Sequence, residues 1–157
     1  MSMTPNRVTP ISRFVYVTYI GSTSEQLWAA LTTPEFMFRY WLGFRTEAEW
    51  MAGGAWKRYF PDGRLADTGD IIEFEPPKLL SFRWRHEGRP ELAVEGWSVC
   101  SMDLEPTGHA VKLTLNHTMD REHSKLIEAV SLGWPQILSN LKSFVETGGT
   151  VLSPRTS

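Results

Sequence analysis

Leu126, Val130, Trp134, Ile137, Leu138, Leu141 and Val145 recur at intervals of three and four, the spacing of one apolar stripe along an α-helix. Gly148-Gly149 is a strong stop signal, and Asp120 is the expected cap at the other end. A helix of about 26 residues would be about 39 Å long at 1.5 Å per residue. A stripe of that length needs a wide apolar bed, which a curved sheet of seven strands provides better than any single hairpin. Pro135 falls inside the pattern. It has no N–H for the carbonyl of Ser131 and its ring crowds that oxygen, so a bend or local irregularity is expected near Gly133-Trp134, fitting the helix to a concave sheet.

The rest of the chain spells out that sheet. Residues 11–20, ISRFVYVTYI, alternate and are rich in β-branched and aromatic types, as a strand requires. Two short helices should follow. Ser22 with Glu25 makes a capping-box pattern before LWAAL, and Thr33-Pro34 places a cap and a first-turn proline before EFMFRYW. From Phe44 to His117, turn signals separate six strand-like segments of about five to twelve residues: Met51-Ala52-Gly53-Gly54, Pro61-Asp62-Gly63, Pro76-Pro77, Glu87-Gly88-Arg89-Pro90 and Pro106-Thr107-Gly108. Links this short favour antiparallel pairing. The order β-α-α-β6-α is an α+β arrangement with one long helix across an antiparallel sheet. A single domain over residues 11–149 is expected, with 1–10 and 150–157 as loose tails.

Net charge −2, 22% charged residues and scattered Lys and Arg give no phosphate-binding stripe, so nucleic acid is not expected as a partner. Neither a signal-peptide core nor an apolar run of about 20 residues is present, so a membrane role is not expected either. The lone cysteine, Cys100, excludes an internal disulfide and fits a reducing compartment, so a cytoplasmic location is expected. Cys100 alternates with Met102 and Leu104 and reads as a buried, inert thiol.

Seven tryptophans in one small domain are the most informative composition feature. Bulky rings must fill the space beneath a long helix whether or not a ligand exists, and Trp28, Trp41 and Trp84 suit that role. The aromatic run ending at Trp41 is read as packing at a cavity mouth. Trp56, Trp84, Trp134, Phe82, Tyr59 and Phe38, with Leu138 of the helix stripe and His117, are the candidates for an apolar ligand pocket. Trp97 has the opposite parity to Cys100, Met102 and Leu104, so it should point outward beside Val99, where a subunit contact is one use for it. His117 ends the alternating series Val111, Leu113, Leu115 and shares its inward face. It is the one candidate acid or base, against the alternative of a structural histidine satisfied by its neighbours. Arg58, Glu49, Asp70 and Glu73 are further polar groups on strands; His86, His109 and His123 look solvated. No histidine pair has ligand spacing and one cysteine cannot build a zinc site, so neither metal nor cofactor is expected.

The segments YIGSTSEQLWAALTTPE (19–35), GDIIEFEPPKLLSFRW (69–84) and GWPQILSNLKSFVETG (133–148) resemble the SRPBCC superfamily, the START-like helix-grip fold of the birch-pollen allergen. Within it they are similar to the branch named after the activator of the heat-shock chaperone ATPase. The resemblance implies a seven-stranded curved sheet wrapped around the C-terminal helix, enclosing a cavity that in relatives holds apolar or amphipathic small molecules.

Three functions then compete. Binding of a hydrophobic or amphipathic small molecule between sheet and helix ranks first, because the aromatic lining is rich and no coherent catalytic set accompanies it. The second is a stress-response protein that binds a chaperone or other partner. It ranks lower because the expected single domain lacks the additional N-terminal region of the co-chaperone that names the branch. An enzyme of cyclase, hydratase or hydrolase type, with His117 as acid or base, is third and lacks a second catalytic residue. A homodimer is expected because symmetric pairs are the commonest soluble oligomers.

Overall fold

The computed structural model describes residues 11–153. Strands β1 (Ser12–Ile20), β2 (Arg45–Ala48), β3 (Ala55–Tyr59), β4 (Leu65–Glu75), β5 (Leu79–His86), β6 (Ser98–Thr107) and β7 (Ala110–Met119) form one antiparallel sheet, ordered β1-β7-β6-β5-β4-β3-β2. The first strand thus pairs with the last. Helices α1 (Ser24–Thr32) and α2 (Pro34–Tyr40) carry the chain from the β1 edge to the opposite edge at β2. One helical turn, α3 (Pro90–Ala93), precedes β6, and α4 (Lys125–Thr147) follows β7. The architecture is the curved-sheet, long-helix α+β fold expected from the sequence.

Period-two patterning sets which face is buried. On β7, Val111, Leu113, Leu115, His117 and Met119 are buried while their neighbours are half-exposed. From the helix side come Leu126, Ile127, Trp134, Ile137, Leu138 and Leu141, all buried. Burying each such side chain contributes roughly 1.5–3 kcal/mol, which is why a stripe at helical spacing on α4 and an alternating face on the sheet specify one another. Cys100 is fully buried in the same core, and burial pushes its thiol far above its ordinary value. Trp97 and Val99 point outward, as their parity requires, with the Arg83 guanidinium 5.1 Å from the Trp97 ring.

The helix ends differ from expectation in instructive ways. Thr23, one residue after Ser22, caps α1 by accepting from the amide of Gln26 at 3.1 Å. Thr33 and Pro34 open α2 as expected, although the threonine side chain makes no cap bond. On α4 the cap is Ser124 rather than Asp120: its Oγ accepts from the Ile127 amide at 3.1 Å and donates to Glu95 at 2.6 Å. The same carboxylate accepts from the Lys125 amide at 2.8 Å. Gly148, at φ 86, closes the helix as a left-handed C-terminal cap. α4 continues through Pro135 without a break in the helix, although the proline has no N–H for the Ser131 carbonyl. Trp134 and Ile137 on either side of the proline are both buried and hold the helix where one ladder bond is lost.

The turn expected at Glu87–Pro90 leads into α3, whose Leu92 packs into a second small core with Met119, Leu126 and Ile127. The tail expected to be loose from residue 150 is tied down at its start. The fully buried Asn140 accepts from the amides of Val151 and Leu152 at 3.0 and 2.7 Å and donates to the Leu152 carbonyl at 2.9 Å. Residues 1–10 and 154–157, the remainder of the expected tails, lie outside the described residues. Among the described residues, no helix is long and apolar enough to cross a membrane.

Candidate functional site

Three neighbouring strands bring Arg58, Asp67 and His86 side by side. Arg58 on β3 faces Asp67 on β4, and Asp67 faces His86 on β5. Two residues along each strand, Trp56, Gly69 and Trp84 repeat the alignment, so all six share one side of the sheet. Only glycine fits at 69: a Cβ there would lie 1.8 Å from the Arg83 carbonyl and 2.4 Å from Nε1 of Trp56. That close approach lets the Trp56 indole donate to the Arg83 carbonyl at 3.1 Å.

The three charged residues form one network. Asp67 is buried and accepts from the Trp84 indole at 2.7 Å, and its Oδ1 lies 2.8 Å from Nδ1 of His86. A carboxylate only accepts, so Nδ1 carries the proton and Nε2 is left as the free ring nitrogen. Nε2 is buried and has no hydrogen-bond partner among the described residues. The Arg58 guanidinium is wedged between rings, 3.8 Å from Trp41, 5.0 Å from Trp56 and 5.4 Å from Trp84. Its Nε donates to Thr46 at 3.3 Å, and its Nη1 stands 3.7 Å from Asp67. Desolvation lowers the pKa of Arg58, opposed chiefly by the Asp67 charge. The arrangement holds a positive charge against π faces in a dry setting, and beside it a histidine whose proton is oriented by a carboxylate.

His117 sits deeper, on the far side of Trp84, whose ring stacks on it at 5.0 Å. Its Nδ1 accepts from the Trp134 indole at 3.1 Å, so Nε2 carries the proton and donates to Ser98 Oγ at 2.7 Å. Ser98 in turn donates to the Trp84 carbonyl at 3.0 Å. Desolvation by burial pushes His117 down to about 3, so it is neutral at physiological pH. Both nitrogens are engaged and no surface is exposed, the geometry of a histidine satisfied by its neighbours.

Two spaces adjoin the network. Between sheet and α4 is a small space of about 30 Å³, room for roughly two waters, lined by Trp56, Arg58, Phe82, Trp134 and Leu138 among others. Four tryptophans, Trp41, Trp50, Trp56 and Trp134, line this space and narrow it. At the end of the helix nearer α3, an open groove of about 500 Å³ runs between Trp41, Phe44, Phe60, Trp84, Ala129 and Trp134, with Asp67 and His86 in its wall. Of the pocket candidates, Trp56, Phe82, Trp84, Trp134 and Leu138 therefore converge on these two spaces. Phe38 and Tyr59 do not. Phe38 is 47% exposed on the outer side of α2, and Tyr59 bonds Glu47 beneath the Arg45 guanidinium. The odd parity of Tyr59 relative to Trp56 and Arg58 carries that information in the sequence.

His86, read as solvated, is instead bound to Asp67, a residue that did not stand out in the sequence at all. The signal was strand parity: Trp56 with Arg58, and Trp84 with His86, are each two apart and so share a face.

The chain matches the family model described as Activator of Hsp90 ATPase homolog 1-like protein over residues 22–146. Among solved structures, a protein from Mesorhizobium loti superposes with a TM-score of 0.74 at 22% identity, covering 85% of this chain and 96% of that one. An HSP90 activator from Plasmodium falciparum gives a TM-score of 0.69 at 19% identity, covering 85% and 95%. The Aha1 dimer from Colwellia psychrerythraea gives 0.67 at 18%, covering 87% and 98%. At these identities the likeness shows the fold. Comparison with curated proteins finds no match.

Proposed function

Since the chain belongs to the family of Activator of Hsp90 ATPase homolog 1-like proteins, we propose that it uses the helix-grip fold to bind a hydrophobic or amphipathic small molecule in the groove beside α4. The observation that carries this reading is the groove itself. Its volume of about 500 Å³ lies in the range of small-molecule sites, and its largely aromatic walls are interrupted by the Asp67–His86 pair, the Asp62–Arg64 ion pair and Arg89. Phe82, Trp56 and Leu138 line the void behind it, and Trp84 and Trp134 stand between the ligand and His117. The single buried thiol fits a cytoplasmic setting.

A second reading is binding to a chaperone or to a second copy of the chain. It draws support from the similarity to a protein described as an HSP90 activator and to one described as a dimer. On this chain it would use outward apolar side chains, Trp97 and Val99 on β6 or Val15, Val17 and Tyr19 on the edge strand β1.

Native mass spectrometry of protein purified from its own host, followed by denaturation and identification of what is released, separates the two. A stoichiometric apolar compound is expected. Protein that is empty and shows no thermal shift across a broad set of apolar ligands would overturn the small-molecule reading in favour of the partner.

A further inference from the structure

Trp41 belongs to the walls of both spaces, as do Trp134 and Ile137. The Trp41 and Trp134 rings meet edge to face with centroids 5.4 Å apart, so the partition between groove and void contains two indoles in contact. Trp41 also ends α2, and the two residues after it have left-handed backbone, Leu42 at φ 56 and Gly43 at φ 86. A leucine held in that region is strained, and strain of this kind gathers at ligand clamps and switch regions.

What the Trp41 ring touches defines what would replace it. The Arg58 guanidinium lies 3.8 Å from its centroid, so the space is complementary to a flat π surface. Arg58 is 4% exposed, and its Nη1 lacks a hydrogen-bond partner among the described residues, leaving a buried charged donor in need of an acceptor. Asp67 does not serve. Its Oδ2, 3.7 Å from Nη1, balances the charge but is beyond hydrogen-bond reach, and the carboxylate is held at that distance by the bonds its Oδ1 accepts from Trp84 and His86. A second anion would face Asp67 across the same dry space, where repulsion is strong. The missing group is therefore an uncharged acceptor.

Building on the small-molecule reading above, we infer that Trp41 holds, in the closed protein, the place of a flat, uncharged aromatic ligand bearing a carbonyl oxygen. The Trp41 ring swings outward about Leu42 and Gly43, the ligand ring enters the space it leaves, tilted off the guanidinium face, and the carbonyl at the guanidinium edge accepts from the Nη1 N–H. Opening joins the void to the groove.

Calorimetry of the wild-type protein with 2-acetylnaphthalene, 2-ethylnaphthalene and 2-naphthoate tests this, because the three share a ring system and differ in acceptor and charge. The ketone is expected to bind about tenfold or more tighter than either of the others. In the double variant Arg58→Met/Asp67→Asn both charges are removed together, and an amide oxygen remains for the Trp84 and His86 donors. There the ketone's advantage is expected to vanish while the hydrocarbon still binds. The Arg58 guanidinium resonances of wild-type protein should shift with the ketone and not with the hydrocarbon, a readout that needs no variant. Equal affinity of ketone and hydrocarbon, with those resonances unmoved, overturns the acceptor site and leaves the small-molecule reading standing. Tightest binding by the carboxylate overturns the uncharged class, and binding of none of the three overturns the Trp41 site while the small-molecule reading stands on the native mass-spectrometry result.

Discussion

The indole N–H of Trp134 donates to Nδ1 of His117 at 3.1 Å, tying the middle of α4 to the end of β7 through a bond closed off from solvent. That bond fixes the tautomer of His117 and leaves its charged form no place in the fold.

An acid-dependent loss of stability follows. Unfolded, the imidazole takes up a proton below its ordinary value of 6.5; folded, it resists until about 3. The unfolded chain then binds more protons between those limits, so the stability is whole above pH 6.5 and declines as pH falls toward 3. The slope from this residue is up to about 1.4 kcal/mol per pH unit. Urea unfolding of wild type and His117→Gln from pH 7 to 4.5 should show the wild-type curve falling more steeply, by that amount. Parallel curves would refute the assignment.

Trp134 itself should be costly to truncate. Trp134→Phe keeps an aromatic body but strands Nδ1 of His117, at about 1–3 kcal/mol, whereas Trp134→Ala also opens a core cavity and should cost about 3–5 kcal/mol. Equilibrium unfolding measures both. A loss below 1 kcal/mol for the alanine variant would mark Trp134 as a pocket wall with little packing role.

Glu95 is the remote half of the α4 cap, with a side chain only 3% exposed. Burial alone would raise its pKa, but the Ser124 hydroxyl and the Lys125 and Leu126 amides together hold it below the usual carboxylate range. Such a carboxylate adds stability above the unfolded value near 4.5 and loses it as pH falls further. Glu95→Gln is expected to cost about 1–2 kcal/mol at neutral pH and progressively less below about pH 4. A penalty that stays constant with pH would show that the charge plays no part.

Those two residues also show what the sequence could convey. The seven strands, the helix stripe and the sheet it crosses were legible because each depends on local periodicity. The Ser124 cap is local, its Oγ reaching the amide three residues on, but its support from Glu95, 29 residues away, lies beyond any local pattern. His117 was legible as an inward-facing residue through strand parity, but its silence depends on Ser98 and Trp134, which only the fold brings to it. The Arg58–Asp67–His86 row is set by register across three strands, and registers that include a bulge after Arg58 are not written in any one segment. Cavity size was least legible of all, since seven tryptophans suit a lined pocket and a filled one equally well.

Asn140 should control the segment after α4. Replacing it with alanine removes the acceptor of two amides and one donor from a fully buried position, an expected cost of about 1–3 kcal/mol. Hydrogen exchange checks the location: the Val151 and Leu152 amides should lose protection while those of the central strands β5 to β7 keep theirs in proportion to global stability. Unchanged exchange at Val151 and Leu152 would contradict the tether.

The groove beside α4 is most directly tested through the seven indole N–H groups, each a separate amide-type signal in a proton–nitrogen correlation spectrum. On titration with 2-acetylnaphthalene, the signals of Trp41, Trp84 and Trp134 are expected to move together, while those of Trp28, packed on Phe74, and Trp97, on the outer face, stay in place. Shifts centred on Trp97, or no shift in any of the three groove indoles, would contradict a small-molecule site there.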